Sequence, residues 1–273
     1  MGVLNVTPDS FSDGGKWIDL NDAVARGLQM VDEGAAIVDI GGESTRPGAL
    51  EISVDEECSR VIPVITQLVE RLGLQPKARI SIDTRHKEVA LAAAAAGASI
   101  INDISASLEG VASETNSAWI AMHMIGTPQN MQDNPRYEDV VGEVSEYLAA
   151  AANRASQAGV REIYIDPGIG FGKTVEHNCQ LLGSIGQLKA LGFPVVVGTS
   201  RKSFISKLAA GSFDGVPEDG RLGGSIASMT VAALGGADIV RVHDVKESVQ
   251  ALRVAEAIAS CADANTSARV TNK

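Results

Sequence analysis

The stretch RISIDTRHKEVALAAAAAGASIIND, residues 79–103, holds two short apolar runs with a helix-like segment between them. The runs Arg79–Ile82 and Ser99–Asn102 are predicted strands, and the alanine-rich segment Lys87–Ala95 is a predicted helix that stops at Gly97. Parallel strands need a crossover connection of this kind, usually a helix. The stretch therefore predicts an α/β fold built on a parallel sheet.

The same alternation continues along the whole chain. The predicted strands lie near Gly2–Asn5, Ala36–Ile40, Arg79–Ile82, Ser99–Asn102, Trp119–His123, Glu162–Ile165, Val195–Gly198 and Asp238–Val242. The predicted helices lie near Asn21–Glu33, Val54–Arg71, Lys87–Ala95, Leu108–Asn116, Asp139–Ala158, Glu176–Ala190, Leu222–Leu234 and Val245–Ser260. Eight units of about 34 residues predict a single-domain (β/α)8 TIM barrel. An open doubly wound sheet is the alternative, but no GxGxxG follows the first strand.

The ends of the helices carry their own signals. Ser53 and Glu56 have the spacing of a capping box, and Gly34, Gly97 and Gly159 stand where helices should end. The predicted barrel covers residues 1–260, and the small polar residues 261–273 are predicted to form a disordered tail.

Composition limits the possible partners and the compartment. The chain has 273 residues and a formal net charge of −11, which disfavours binding to nucleic acid or to an anionic membrane. Its three cysteines are far apart and form no CxxC pair, which favours a reducing compartment over a disulfide framework or zinc site. No signal peptide or membrane-length apolar run is evident, so we expect a cytoplasmic protein.

Polar residues follow the predicted strands at every strand end. They are Asn5, Asp83, Asn102, Asp103, His123, Asp166, the segments 41–48 and 200–203, and Arg241, His243 and Asp244. In a barrel these ends meet on one face, where barrel active sites are built. Any one of them alone could be a simple turn residue, since Asp, Asn, Ser and Gly favour turns. All eight together predict a site.

The cations at these ends indicate an anionic ligand. Arg46, Lys202, Arg241 and His243 would surround a small pocket, with a helix starting near Ser203 beside it. Arg241 and His243 are two residues apart on a strand and would share one face. The alternatives are a structural ion pair between Arg241 and a barrel carboxylate, and a His243 satisfied by its own surroundings.

The acids suggest a second part of the ligand. The carboxylates of Asp83 and Asp166, with Asn102, could bind a flat heterocycle that has a guanidine-like edge. The same acids could equally pair with Lys202 and Arg241 without any ligand.

These segments resemble the dihydropteroate synthase family over nearly the whole chain. The longest matches are NVTPDSFSDGG at Asn5–Gly15 and VDIGGESTRPGA at Val38–Ala49. Shorter ones are SIDT at Ser81–Thr84, INDI at Ile101–Ile104, MHM and GTP within Met122–Pro128, DPGIGFGK at Asp166–Lys173, SRKSF at Ser200–Phe204 and RVHDVKE at Arg241–Glu247.

The resemblance implies a reaction in folate biosynthesis. A dihydropterin pyrophosphate would lose pyrophosphate and join p-aminobenzoate through a cation-like, dissociative displacement that uses Mg²⁺. The family also implies a homodimer and a target for sulfonamides, which mimic p-aminobenzoate. The alternatives are a pterin-dependent methyltransferase and a pterin-binding paralogue without activity.

The resemblance also assigns roles to residues of this chain. The implied catalytic residues are Asp13, Asp83, Lys202 and Arg241. The implied pterin-binding residues are Asp83, Asn102, Ile104, Met122, Asp166, Phe171, Gly198, Lys202 and Arg241. The implied pyrophosphate contacts are Asn5, Arg46, Arg241 and His243, with Asn5 and Asp13 near the metal ion. The implied p-aminobenzoate site is formed by Phe11, Thr45, Pro47, Phe171, Lys202 and Ser203.

Overall fold

The structure is a computed structural model that describes residues 1–7, 20–44, 49, 51–73, 77–209 and 217–270, apart from the side chains of 218–219 and 262–270. Its strands are β1 (Gly2–Asn5), β2 (Ile37–Gly41), β3 (Arg79–Asp83), β4 (Ile100–Asp103), β5 (Ala118–Met122), β6 (Ile163–Asp166), β7 (Val196–Val197) and β8 (Ile239–Val240). Its helices are α1 (Leu20–Asp32), α2 (Val54–Leu72), α3 (Lys87–Ala95), α4 (Glu109–Thr115), α5 (Val140–Gln157), α6 (Val175–Leu182), α7 (Ile185–Lys189), α8 (Ser203–Ala209), α9 (Leu222–Leu234) and α10 (Val245–Val270).

The strands close into a barrel. β1 to β6 pair in chain order, β7 pairs with β8, and every pairing is parallel. Ile165 of β6 bridges to Val195 just before β7, and Val242 just after β8 bridges to Gly2 of β1. The Val3 amide donates to the Val242 carbonyl at 2.9 Å across this last seam. The predicted single-domain (β/α)8 barrel is confirmed.

The barrel interior has an apolar half and a polar half. Five buried residues form a separate cluster inside it, namely Ile37, Ile100, Ala118, Ile120 and Val196. Because side chains alternate along a strand, the residue two positions further on also points inward. Those next inward positions include Asp39 in β2, Asn102 in β4 and Gly198 after β7. The barrel interior is therefore filled by aliphatic side chains towards the amino ends of the strands and carries polar groups at their carboxyl ends.

The larger core lies between the strands and the surrounding helices. It is made of Val, Ile, Leu and Ala side chains from all parts of the barrel, with Trp119 as its largest fully buried member. None of the helices in the described parts of the chain is long and apolar enough to cross a membrane.

Helix ends differ from the sequence predictions in two places. The predicted helix over Glu176–Ala190 is two helices, since α6 ends at Leu182 and α7 begins only at Ile185. Gly183 and Ser184 separate them, and both residue types favour an interruption over a helix interior. At the other end of the chain, α10 continues to Val270, beyond its predicted end near Ser260. The division of the chain after residue 260 stays a prediction.

The predicted caps are partly confirmed. The Ser53 hydroxyl accepts from the Glu56 amide at 3.2 Å, but the Glu56 carboxylate bonds to Arg60. Gly34, Gly97 and Gly159 have φ values of 105°, 108° and 92°, which L side chains rarely adopt.

The turn after β6 depends on a glycine. Gly168 has a φ of +64°, and a Cβ atom on it would lie 1.9 Å from the His123 carbonyl oxygen. That oxygen belongs to the backbone that follows β5, so it cannot move away cheaply. The close approach fixes the path of residues 169–173 over the carboxyl end of the barrel.

We therefore predict that Gly168→Ala lowers the free energy of unfolding by more than about 2 kcal/mol, because strain and a backbone clash add up. Gly192→Ala is the matched control, since Gly192 has a φ of +87° but no atom within 4 Å of the built Cβ. The free energy of unfolding of Gly192→Ala should fall by only about 1 kcal/mol. Urea denaturation measures both, and equal losses would contradict the steric explanation.

Candidate active site

A half-buried arginine joins two acids at the carboxyl end of the barrel. Arg241, just after β8, donates from Nε to Asp39 Oδ2 and from Nη2 to Asp83 Oδ2, both at 2.6 Å. Asn102 donates from Nδ2 to the same Asp39 oxygen at 3.0 Å. Residues from β2, β3, β4 and the end of β8 are thus linked in one network, which we call the Arg241 network.

Burial and charge determine how this network titrates. Burial alone would lower the pKa of Arg241, but the two carboxylates raise it above its usual range. Burial raises the pKa of Asp83 to about 7, against the opposing effect of Arg241. Asp39 Oδ1 and Asp83 Oδ1 are buried, and no donor among the described residues bonds to them. Such acceptors are costly unless a ligand supplies a donor.

Asp166 and Lys202 form the opposite side of the site. Asp166 Oδ1 accepts from the Gly168 amide at 2.7 Å, and burial raises the pKa of this carboxyl group. Burial lowers the pKa of Lys202 to about 8. The Lys202 ammonium donates to the Ile169 carbonyl and lies 4.6 Å from the centre of the Phe171 ring, a cation–π contact.

Glycines keep this space open. A Cβ on Gly198 would lie 3.6 Å from Arg241 Cβ and 3.8 Å from Lys202 Nζ, so this residue separates the two cations. A Cβ on Gly41 would lie 3.7 Å from Asp83 Oδ2 and 3.9 Å from Asn5 Oδ1. Gly41 therefore sits between Asn5 and the Arg241 network.

The segment after β7 brings further polar groups. His243 Nδ1 lies 3.1 Å from the Ser200 hydroxyl, which also accepts from the His243 amide at 3.2 Å. Arg201, with a φ of +60°, donates from Nε to Asp244 at 3.1 Å. Ser203 is exposed and is the first residue of α8, as the sequence predicted.

The chain on both sides of residues 45–48 is anchored to the barrel. Glu43 accepts from Arg85 Nε at 2.9 Å and from the Ile52 amide at 3.3 Å. Arg85 also pairs with Glu51 at 2.9 Å. The loop after β2 is thus tied at its base to the loop after β3.

The structure brings most of the predicted site residues together. Asp83, Asn102 and Arg241 share one network, and Asp166, Phe171 and Lys202 form the other side. Ile104, directly after β4, and Met122, which pairs with Asp166, are both buried. The remaining predicted residues Phe11, Asp13, Thr45, Arg46 and Pro47 lie outside the described residues. Within the described ranges, no group of three His, Cys, Asp or Glu side chains is placed to hold a metal ion.

The sequence prediction of the site did not include Asp39. Asp39 is fully buried and bonds to both Arg241 and Asn102. The available signal was its spacing, because Asp39 is two residues after the inward-facing Ile37. Lys173 was likewise only part of a motif, yet its ammonium is buried against His123.

These features define a class of protein, an α/β-barrel enzyme with an ionic binding site at the carboxyl ends of its strands. Residues 1–243 match the family described as "Pterin binding enzyme". The dihydropteroate synthase of Escherichia coli K12 is 47% identical over 266 residues, which cover 95% of this chain and 91% of that protein.

Solved structures of dihydropteroate synthases are also similar to this chain. A Yersinia pestis dihydropteroate synthase in complex with a sulfonamide drug has a TM-score of 0.87 and 42% identity, covering 95% of this chain and 94% of that one. A Xanthomonas albilineans dihydropteroate synthase with 4-aminobenzoic acid has a TM-score of 0.85 and 44% identity, covering 94% and 92%. This chain belongs to the pterin-binding enzyme family and, within it, to the dihydropteroate synthases, which are transferases of folate biosynthesis.

The Arg241 network predicts a coupled loss of stability. Arg241→Gln should lower the free energy of unfolding by about 3 kcal/mol, because two buried carboxylates lose their cation. The double variant Asp39→Asn/Arg241→Gln should lose at least about 1 kcal/mol less than the sum of the two single variants. Urea denaturation gives all three values, with exposed Arg71→Gln as the control. Additive losses would contradict the pairing.

Proposed function

We propose that this chain condenses 6-hydroxymethyl-7,8-dihydropterin pyrophosphate with p-aminobenzoate, giving 7,8-dihydropteroate and pyrophosphate. The observation that carries the residue assignment is the Arg241 network facing Asp166 and Lys202 across the carboxyl end of the barrel. It offers buried acceptors for a heterocycle and cations for an anion in one small space.

The acids and Asn102 would bind the pterin. Its amino-pyrimidine edge carries N–H donors that fit the carboxylate of Asp166, and the buried Asp83 Oδ1 has room for a further donor. Lys202 lies between this region and Phe171. Ile104, Met122 and Gly198 would enclose the flat ring, because they are small or apolar and buried.

The cations would bind the pyrophosphate. Arg241 has the planar donor set that matches phosphate oxygens, and Asn5 and His243 lie at the ends of the flanking strands β1 and β8. Arg46 is the fourth predicted contact. No nucleophile from the protein is required, since the pyrophosphate leaves to give a cation-like pterin and the amine of p-aminobenzoate then attacks its methylene carbon. The work of these residues is to position the substrate and to stabilise charge.

Asn5 fits the proposed Mg²⁺ site through its side-chain oxygen, with Asp13 as the second protein ligand. Mg²⁺ prefers oxygen ligands and is commonly held by one or two protein groups together with substrate phosphates and water. When bound, the ion would neutralise part of the pyrophosphate charge. The described residues provide the Asn5 oxygen beside Gly41 and Asp83.

The amine substrate would lie over Phe171. The Phe171 ring and the Lys202 stem form one wall, and Ser203 at the start of α8 is exposed where a carboxylate could bind. Phe11, Thr45 and Pro47 are the other residues we assign to this site. The bound 4-aminobenzoic acid of the Xanthomonas albilineans relative supports a p-aminobenzoate site in this chain.

A pterin-dependent methyltransferase and a non-catalytic paralogue are the other functions considered. Both would need the pterin-binding acids, but neither would release pyrophosphate. The first assay therefore measures pyrophosphate from the dihydropterin pyrophosphate with Mg²⁺, with and without p-aminobenzoate. Formation of dihydropteroate supports the synthase, and tight pterin binding without pyrophosphate release would favour the alternatives.

The role of Asp166 can be tested by Asp166→Asn. We expect pterin affinity to fall at least about tenfold, because the amide offers one acceptor where the carboxylate offers two. Calorimetry with a pterin ligand measures the affinity. Asp32→Asn is the matched control, because Asp32 is exposed at the end of α1. Unchanged affinity in Asp166→Asn would refute the assignment.

We also propose that the enzyme works in the cytoplasm on small-molecule substrates, without nucleic acid or membrane partners. The charge of −11 supports this, and so do Cys58, Cys179 and Cys261, which are free thiols.

A homodimer is proposed through an apolar groove between α9 and α10. The groove is lined by Leu222, Ile226, Leu234, Val254 and Ile258, and Leu234 and Ile258 are 61% and 67% exposed. Exposed apolar surface of this kind favours association. A second copy of the chain could cover it by placing the same two helices against it.

We expect Ile258→Glu to convert a dimer into a monomer in light scattering after size exclusion, because a charge would be buried at the interface. Val231→Glu is the control, since Val231 is exposed on α9 outside the groove. A monomeric unmodified protein, or a dimer in both variants, would overturn this interface.

A further inference from the structure

The loop after β6 has an unusual set of backbone contacts. Each carbonyl oxygen from residue 169 to residue 172 accepts a hydrogen bond from a side chain. The donors are Lys202 to Ile169, Gln132 to Gly170, Lys173 to Phe171 and Tyr137 to Gly172. Gly168, Gly170 and Gly172 all have positive φ values, so the loop has a backbone path that depends on these outside donors.

Lys173 is the donor whose side chain is most deeply buried. Its residue is only 3% exposed, and its ammonium lies 2.9 Å from the Phe171 carbonyl oxygen, 3.0 Å from His123 Nδ1 and 3.4 Å from the His123 carbonyl oxygen. Within the described residues, no carboxylate forms a hydrogen bond or an ion pair with it. Burying an ammonium is costly. The charge of Asp166 favours the ammonium from a distance but does not bond to it, so its three contacts carry the direct compensation for the burial.

The surroundings of Lys173 set the direction of these bonds. Burial, together with the nearby charge of Lys173, lowers the pKa of His123 to about 3, so the imidazole is neutral. An ammonium can only donate, so when Lys173 is protonated His123 Nδ1 accepts from it and the proton of the neutral imidazole is on Nε2. Burial also lowers the pKa of Lys173 to about 7. Tyr147 packs edge-on against the His123 ring with centroids 4.9 Å apart, which holds the acceptor in place.

The contact to Phe171 connects Lys173 with the substrate site. The Lys173 ammonium donates to the Phe171 carbonyl oxygen, while the Phe171 ring contacts the Lys202 ammonium. The Phe171 amide donates to the Gly168 carbonyl at 3.0 Å, so both polar groups of this residue's backbone are fixed. The direction of the ring follows from the direction of this backbone.

We propose that Lys173 is a positioning residue that sets the affinity for p-aminobenzoate by holding Phe171 against Lys202. Lys173 does not touch the substrate, and it acts only through Phe171. The inference rests on the proposed p-aminobenzoate site. The proposed pterin contacts Asp83, Asn102 and Asp166 are held by the strands β3, β4 and β6, and only Phe171 and Lys202 are contacted through the loop carbonyls, so pterin affinity should depend less on Lys173.

Lys173→Met tests this role, because methionine fills the same volume without the donors. We expect the KM for p-aminobenzoate to rise about tenfold, the loss of one buried hydrogen bond, while pterin affinity by calorimetry changes less than about twofold. Lys173→Gln retains a side-chain amide donor, so its KM for p-aminobenzoate should lie between those of the unmodified chain and Lys173→Met. If Lys173→Met does not fold, Lys173→Gln replaces it in the assay. Gln132→Ala is the matched control, because it removes an exposed donor from the neighbouring carbonyl of Gly170.

A double-mutant cycle separates positioning from general stability. In a Phe171→Ala background, Lys173→Met should change the KM for p-aminobenzoate less than about twofold, since the ring it positions is gone. Equal effects in both backgrounds, or equal losses of pterin and p-aminobenzoate affinity, would overturn the proposal. If the unmodified chain forms no dihydropteroate, the proposed function is wrong. If the unmodified chain is active but Lys173→Met has an unchanged KM for p-aminobenzoate, the proposed function stands and only the role of Lys173 is wrong.

Discussion

The site depends on one interaction, the pairing of the Arg241 guanidinium with the buried carboxylates of Asp39 and Asp83. Two acids in the same buried space repel each other and would resist ionisation. The guanidinium makes their burial possible because its planar donors reach both at once. Asn102 joins the same Asp39 oxygen, so four of the eight strand ends are held by a single cation. The Oδ1 oxygens of both acids are buried and accept no hydrogen bond from the described residues.

The barrel explains why this network forms at one end only. The inward-facing residues of the lower half are aliphatic and pack together, including Ile37, Ile100 and Ile120. Two residues further along β2 and β4, the inward positions are Asp39 and Asn102. The aliphatic layer gives the fold its stability and excludes water from below. The acids above it are therefore buried on one side, which raises the pKa of Asp83 and makes Arg241 necessary.

Much of the fold and part of the site could be predicted from the sequence, because both follow from local patterns. The strand–helix alternation predicted the barrel, and the polar strand ends predicted that Asp83, Asp166 and Lys202 would meet. The sequence left open whether Arg241 pairs with a barrel carboxylate, and the structure shows that it pairs with both Asp39 and Asp83. Which acids it meets depends on which strands become neighbours across the barrel closure. Asp39 was not assigned for this reason, because its partner Arg241 is 202 positions away along the chain. The partners of Lys173 depend on glycine conformations that a sequence does not display.

The two sides of the site differ in how rigidly they are built. Asp39 and Asn102 lie within paired strands, and the Arg241 amide just after β8 donates to the Val197 carbonyl at 2.9 Å, so the Arg241 network has little freedom. Phe171 and Lys202 stand on loops, and their positions rest on side-chain donors to backbone carbonyls. A ligand bound across the site would thus meet a preformed network on one side and, on the other, side chains whose positions depend on separate hydrogen bonds. Differences between related enzymes in p-aminobenzoate affinity can arise on the loop side without any change in the barrel, since each of those carbonyl contacts can be lost independently.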